Sequence, residues 1–178
     1  MSRNIFSSLM LVVMMLVLVT GNIQAQTQVN ANINATATIM AAITITKNTD
    51  VAFGNLGATT AGAVVLSPLG IGSSNYVGST AAAGTITITA ANTTHVVISW
   101  PATVSMTSGG NTMTLTLAVN GNTVNTQSSS TAQSSGSGST ITSGTGQYYL
   151  WVGGSLGTLA SQVTGSYTGT ANFTVEYQ

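Results

Sequence analysis

Few residues in this 178-residue chain could do chemistry. Lysine plus arginine number two, aspartate plus glutamate two, histidine one, and cysteine is absent. Beyond the first 25 residues the side chains that are charged or titrate near neutral pH are Lys47, Asp50, His95 and Glu176. A Ser-His-Asp arrangement would have to use His95 and Asp50, yet His95 opens the apolar run Val96 to Trp100 directly after Asn92-Thr93-Thr94. It reads as a hydrogen-bonded residue at a strand end rather than a general base. Glycoside hydrolysis needs two carboxylates facing one cleft, and Asp50 with Glu176 are the only pair. Glu176 is out of phase with Phe173 and Val175, which places it on the outer face of its strand. Three scattered candidates do not make a metal site, and no Lys follows the glycines as in a phosphate loop. The chain reads as a non-enzyme without a cofactor.

Binding has more material. Trp100, Tyr148, Tyr149 and Trp151 could stack on a sugar, although aromatic residues in a sheet are more often core. Trp100, Tyr149 and Trp151 are kept as the possible ligand aromatics. A threonine ladder at Thr85, Thr87 and Thr89 fits an exposed strand face, where threonine is favoured in any case. Nucleic acid is excluded as a partner, because phosphate binding needs clustered Lys or Arg. Charged residues make up 2 % of the chain. Strand edges therefore lack the charges that ordinarily block edge-to-edge pairing, and self-association is easy.

The elements that hold these residues begin after an export leader. Met1-Ser2-Arg3-Asn4, the apolar run Leu9 to Val19 and Ile23-Gln24-Ala25 have the three parts of a secretory signal peptide, with cleavage expected after Ala25. The apolar run falls short of the roughly 20 residues of a membrane span. Residues 1–25 are read as leader, and the mature chain as exported, to the cell surface or beyond, through the periplasm if the cell is Gram-negative.

From Val29 to Ile45 every odd position is apolar, and most even positions are Asn or Thr. That is the period of a β-strand. At roughly 3.3 Å per residue the run would span on the order of 60 Å, about three times a usual globular strand. Residues 26–37 are accordingly read as an N-terminal extension and a candidate donor strand, and residues 38–178 as the domain, with Ile39 to Thr46 its first strand.

Lys47 to Asp50 reads as a turn and Val51 to Gly57 as a short strand, with another stub near Tyr76-Val77. Thr85 to Thr89, His95 to Trp100, Thr112 to Val119 and Tyr148 to Val152 read as strands. Asn120-Gly121 predicts a two-residue hairpin turn. Gln127 to Gly146 predicts a long loop or a poorly packed edge, and Gly153-Gly154 an exit from the strand. The last strand, Tyr167 to Gln178, presents Tyr167, Ala171, Phe173, Val175 and Tyr177 on one face. Short strands, turns between them and no helical period predict an antiparallel all-β sandwich, with a small barrel as the alternative.

The chain resembles a family of secreted bacterial β-proteins known only as a domain of unknown function. The residues that carry the likeness are Ala35 to Ile39, Ile43-Thr44-Ile45-Thr46-Lys47, Asp50, Phe53-Gly54, and Gly165 to Thr170 with Val175 and Tyr177. The ending Ala171 to Gln178, with Tyr177 penultimate, also resembles the last strand of chaperone-usher fimbrial pilins, though many of those carry a disulfide and this chain has no cysteine. That second resemblance implies an immunoglobulin-like or pilin-like sandwich lacking one strand. The gap would be filled by the alternating extension of a neighbouring subunit. Val29, Ala31, Ile33, Ala35 and Ala37 would then be the donor positions, and Phe173, Val175 and Tyr177 would border the acceptor groove. The expected function is a fibre subunit. Its partners would be identical or related subunits, with a periplasmic chaperone and an outer-membrane assembly protein. A self-contained adhesin or carbohydrate-binding module is the alternative.

Overall fold

The computed structural model describes residues 30–71, 73–74, 77–141 and 143–178. The leader, Val29 and the expected strand position Tyr76 lie outside the described residues. Ile39–Gln178 form one compact unit. Residues 30–38, taken by themselves, carry no strand and are exposed, with Ile33 at 92 %.

The compact unit is built from strands. They are β1 (Thr44–Thr49), β2 (Ala63–Leu66), β3 (Gly84–Thr89), β4 (Thr94–Ser99) and β5 (Thr103–Ser108). Then follow β6 (Asn111–Asn122), β7 (Thr131–Ala132), β8 (Ser137–Ile141), β9 (Gln147–Thr158) and β10 (Thr174–Tyr177). The larger sheet runs β1-β3-β9-β6-β5, with β2 added to β9 and β7 to β6; the smaller runs β10-β4-β8. Every strand pair is antiparallel. The chain is an all-β sandwich.

Alternation dictates how the sheets meet. In β3, Ile86 and Ile88 face inward while Thr85, Thr87 and Thr89 face out, and in β4 Val96 and Ile98 do the same. These side chains close on Val119, Ile141, Tyr148, Leu150 and Val152 as one core cluster. A second cluster holds Phe53, Val64, Leu66, Val104, Leu115, Leu156 and Leu159. The two 12-residue strands β6 and β9 run through both clusters. The smaller sheet covers only the first, and this mismatch leaves part of the larger sheet's inner face without a facing strand.

Several sequence expectations yield to packing. Asn120-Gly121 is no hairpin turn but lies inside β6, where Gly121 is opposite Leu150. A Cβ there would come within 2.5 Å of the Tyr148 hydroxyl, so the glycine makes room for a ring. The tight hairpin is instead at Gly109-Gly110, whose φ values of +53° and +87° suit the turn between Ser108 and Asn111. Gly153-Gly154 does not end β9 either. A Cβ on Gly153 would overlap the Leu66 carbonyl, and one on Gly154 the Thr116 carbonyl, so these glycines let neighbouring backbones approach.

The first strand is displaced relative to expectation. It begins at Thr44 rather than Ile39 and runs through Lys47-Asn48-Thr49, with a register shift between Lys47 and Thr49 in place of a turn. Asn48 and Thr49 bond Thr87 and Thr85 side chain to side chain, each at 2.8 Å, so the threonine ladder serves as a cross-strand clamp. Val51 to Gly57 contributes only the bridge Ala52–Ala82. The expected loop after Gln127 contains β7 and β8, with Ile141 fully buried. Of the expected strand Tyr167 to Gln178, only Thr174–Tyr177 is strand; before it stands the single bridge Thr107–Thr168.

Burial holds the Tyr148 hydroxyl's pKa above its usual 10.0, with a hydrogen bond to Ser139 acting in the opposite direction. The folded state therefore keeps a proton that the unfolded chain releases near pH 10. Stability is full below that pH and falls as pH rises through it. Tyr148→Phe is expected to flatten the alkaline limb of a denaturation series between pH 9 and 11, roughly one unit either side of the unfolded value.

Candidate functional site

The uncovered part of the larger sheet is a cavity of about 440 Å³. Ile86 of β3, Val152 of β9, Leu115 and Leu117 of β6, and Val104 and Met106 of β5 line it. One border is formed by Ile45, Lys47, Val51 and Phe53, at and just after β1, and another by Gly169 to Phe173, leading into β10. Its lining therefore comes from five strands of one sheet, β1 included, and from the chain segments that follow β1 and precede β10. No strand stands between those segments among the described residues.

The border at Gly169 to Phe173 has unspent hydrogen-bonding capacity. Residues 169–173 make no backbone-to-backbone bond among the described residues. Just past β10 the Gln178 N–H donates to the His95 carbonyl at 3.0 Å, and within it Thr174 and Glu176 are opposite Ser99 and Val97. By antiparallel alternation the backbone groups of Val175 and Tyr177 point away from β4, to the free edge of the smaller sheet. Their side chains, with that of Phe173, pack against the first core cluster. Of the three acceptor residues expected from sequence, Phe173 lines the cavity just before β10, while Val175 and Tyr177 lie beyond it in β10.

Tyr177 has a further role. Its hydroxyl donates to the Ala41 carbonyl at 2.7 Å and accepts from the Ala91 N–H at 2.9 Å. The last strand is thereby tied to the chain just before β1 and to the loop between β3 and β4. Tyr177→Phe leaves both backbone groups without this partner and is expected to lower stability by about 1–2 kcal/mol in urea denaturation.

At the cavity's border, Lys47 Nζ and Asp50 Oδ1 are 2.7 Å apart, both largely exposed. An exposed pair contributes about 0–1 kcal/mol. Lys47 also marks β1 as a poor site for edge pairing, together with its register shift, whereas the free edge of β10 has neither Lys nor bulge. The Glu176 side chain is on the outer face.

The remaining chemical candidates are dispersed. The His95 Nδ1 is 2.9 Å from the Thr140 hydroxyl on β8, and Asp50 is engaged with Lys47. No group of three or more His, Cys, Asp or Glu suited to a metal ion occurs among the described residues. The aromatic residues do not form one platform: Trp100 stacks on Phe173 with centroids 5.7 Å apart, while Tyr149 is 6.3 Å from Trp151 on β9. Trp151 is only 4 % exposed. Sequence reasoning missed Ile86, Leu115, Leu117 and Val152 as site residues, because alternation marks them as inward-facing without telling which inward residues go uncovered.

A two-sheet antiparallel sandwich with one open interior groove defines the class. Residues 43–177 match the family described as Domain of unknown function (DUF4402), and the chain belongs to that family. No curated protein matches the chain.

Proposed function

We propose that the protein is an exported structural subunit of a cell-surface fibre, polymerising by β-strand addition. The observation that carries this reading is the groove floored by Ile86, Val104, Leu115, Leu117 and Val152 and bordered by residues 169–173, which make no backbone-to-backbone bond among the described residues and lead into a strand with a free edge. Strand addition needs both parts: free backbone groups for continuity and a lined groove for alternate side chains. The donor is residues 28–37 of a second copy, with Val29, Ala31, Ile33, Ala35 and Ala37 turned into the groove. Ala31, Ile33, Ala35 and Ala37 are exposed in the isolated chain. The small Ala positions let the strand lie close, and burial of Ile33 contributes about 1.5–3 kcal/mol.

The likeness of Ala171 to Gln178 to the last strand of chaperone-usher pilins supports the same reading. It adds a periplasmic chaperone and an outer-membrane assembly protein as expected partners. The test is expression from Gln26 and from Thr38, each purified and viewed by electron microscopy. Fibres are expected from the longer chain alone, and equal fibre formation from the shorter one overturns the donor assignment.

A further inference from the structure

A second cleft, of about 350 Å³, lies at the other edge of the smaller sheet, between β8 and the end of β6. It shares no residue with the groove and differs from it in kind. Asn122, Thr123, Gln133, Ser139 and Thr140 supply amides and hydroxyls, the Tyr148 phenol is the one aromatic group, and no charged side chain lines it.

The polar groups are held in place by one another. The Asn122 amide donates to the Ser129 carbonyl at 3.3 Å and to its hydroxyl at 3.0 Å. Ser139 donates to Gln133 Oε1 at 3.0 Å, and the Gln133 amide donates to the Thr131 carbonyl at 3.2 Å. Thr140 is fixed by the 2.9 Å contact with His95. The Gln133 amide also reaches the Thr131 hydroxyl at 3.3 Å and Asn122 Oδ1 accepts from the Val124 N–H at 3.1 Å, so both amides have their N–H groups engaged and keep for a ligand one lone pair on each amide oxygen, beside the lone pairs of the hydroxyls. Two glycines admit neighbouring side chains at the cleft. A Cβ at Gly121 would come within 2.5 Å of the Tyr148 hydroxyl, and one at Gly138 within 2.6 Å of Gln178 Oε1.

The lining selects by exclusion. An ion would find no countercharge, and an apolar ligand would strip water from these groups without replacing its hydrogen bonds. A compact neutral molecule with several hydroxyls matches both the volume and the remaining acceptors, since each of its hydroxyls can donate. We infer that this cleft binds a neutral saccharide, through Asn122, Gln133, Thr140 and the Tyr148 hydroxyl. The site is distinct from the aromatic stacking expected at Trp100, Tyr149 and Trp151, and it does not depend on strand addition.

Saturation-transfer NMR on the chain from Gln26 tests it, because the method reads the sugar whether the protein is monomeric or assembled. The probes are glucose, galactose, mannose and N-acetylglucosamine, with glucuronate as the charged control. At least one neutral sugar is expected to receive saturation, and Asn122→Ala and Thr140→Val are each expected to weaken it about tenfold, one lost hydrogen bond's worth. Thr140→Val keeps side-chain size on an edge strand, so it gives the answer if Asn122→Ala does not fold. Silence from all four sugars overturns the inference. So does equal transfer to glucuronate, or a signal unchanged in Thr140→Val.

Discussion

Leu150→Ala is expected to destabilise the domain by about 2–5 kcal/mol, a large share of the roughly 5–15 kcal/mol that holds a native domain together. Leu150 is fully buried in β9, opposite Ile86 on β3 and Gly121 on β6. It belongs to the cluster that also includes Val96, Ile98 and Ile141 of the smaller sheet. Collapse into the space left by its lost methyls is hindered on one side, because Gly121 has no side chain to move and its own free volume is filled by the Tyr148 ring. The cost should fall in the upper half of the range for that reason. A urea titration reads it as a lower midpoint at unchanged slope. A loss below about 1 kcal/mol would mean that the two sheets are not packed through this residue. The contrast is Thr89→Ala on the outer face of β3, expected to change stability by less than about 0.5 kcal/mol.

The pattern that makes Leu150 core was open to reading from sequence, since Tyr148, Leu150 and Val152 alternate with Tyr149 and Trp151. The same holds for Ile86 and Ile88, for Val96 and Ile98, and for Val175 and Tyr177. Period two fixes which side chains share a face. It cannot say which face has a partner, and the groove is a statement about coverage: Ile86 and Val152 serve both the first core cluster and the cavity lining. Glycine was the other limit. Asn120-Gly121 carries turn chemistry and Gly109-Gly110 carries it too, yet only the second is a turn. At Gly121 the missing Cβ answers to Tyr148, which is 27 positions away in the chain. At Gly153 it answers to the Leu66 carbonyl. Local signals cannot separate a glycine needed for φ from one needed for a neighbour's approach. The run from Val29 to Ile45 has the same weakness. Its alternation is unbroken, but the strand begins only at Thr44, where Thr89 is available to pair.

A peptide spanning residues 28–37, added to the chain expressed from Thr38, is expected to raise its melting temperature by about 5–10 °C. At a hundredfold excess over its dissociation constant a ligand of the folded state stabilises by about 2.7 kcal/mol. For a domain of this size each kcal/mol moves the transition by about 2–4 °C. The specificity lies in phase. Ile33 is the largest of the proposed donor side chains, so the peptide carrying Ile33→Asp should give no shift, since an aspartate would have to enter against Ile86, Val104, Leu115, Leu117 and Val152 while the border's Lys47 is already paired with Asp50. Asn32→Asp, on the opposite face of the same strand, should leave the shift nearly intact. Ala171→Trp supplies the complementary control from the receiving side. Ala171 is only half-buried and lines the groove, so an indole there fills the vacancy. The variant should fold, bind no peptide and form no fibres in the chain from Gln26. Should the wild-type and Ile33→Asp peptides act alike, or should Ala171→Trp bind the peptide as well as the parent does, the groove is not where the strand goes.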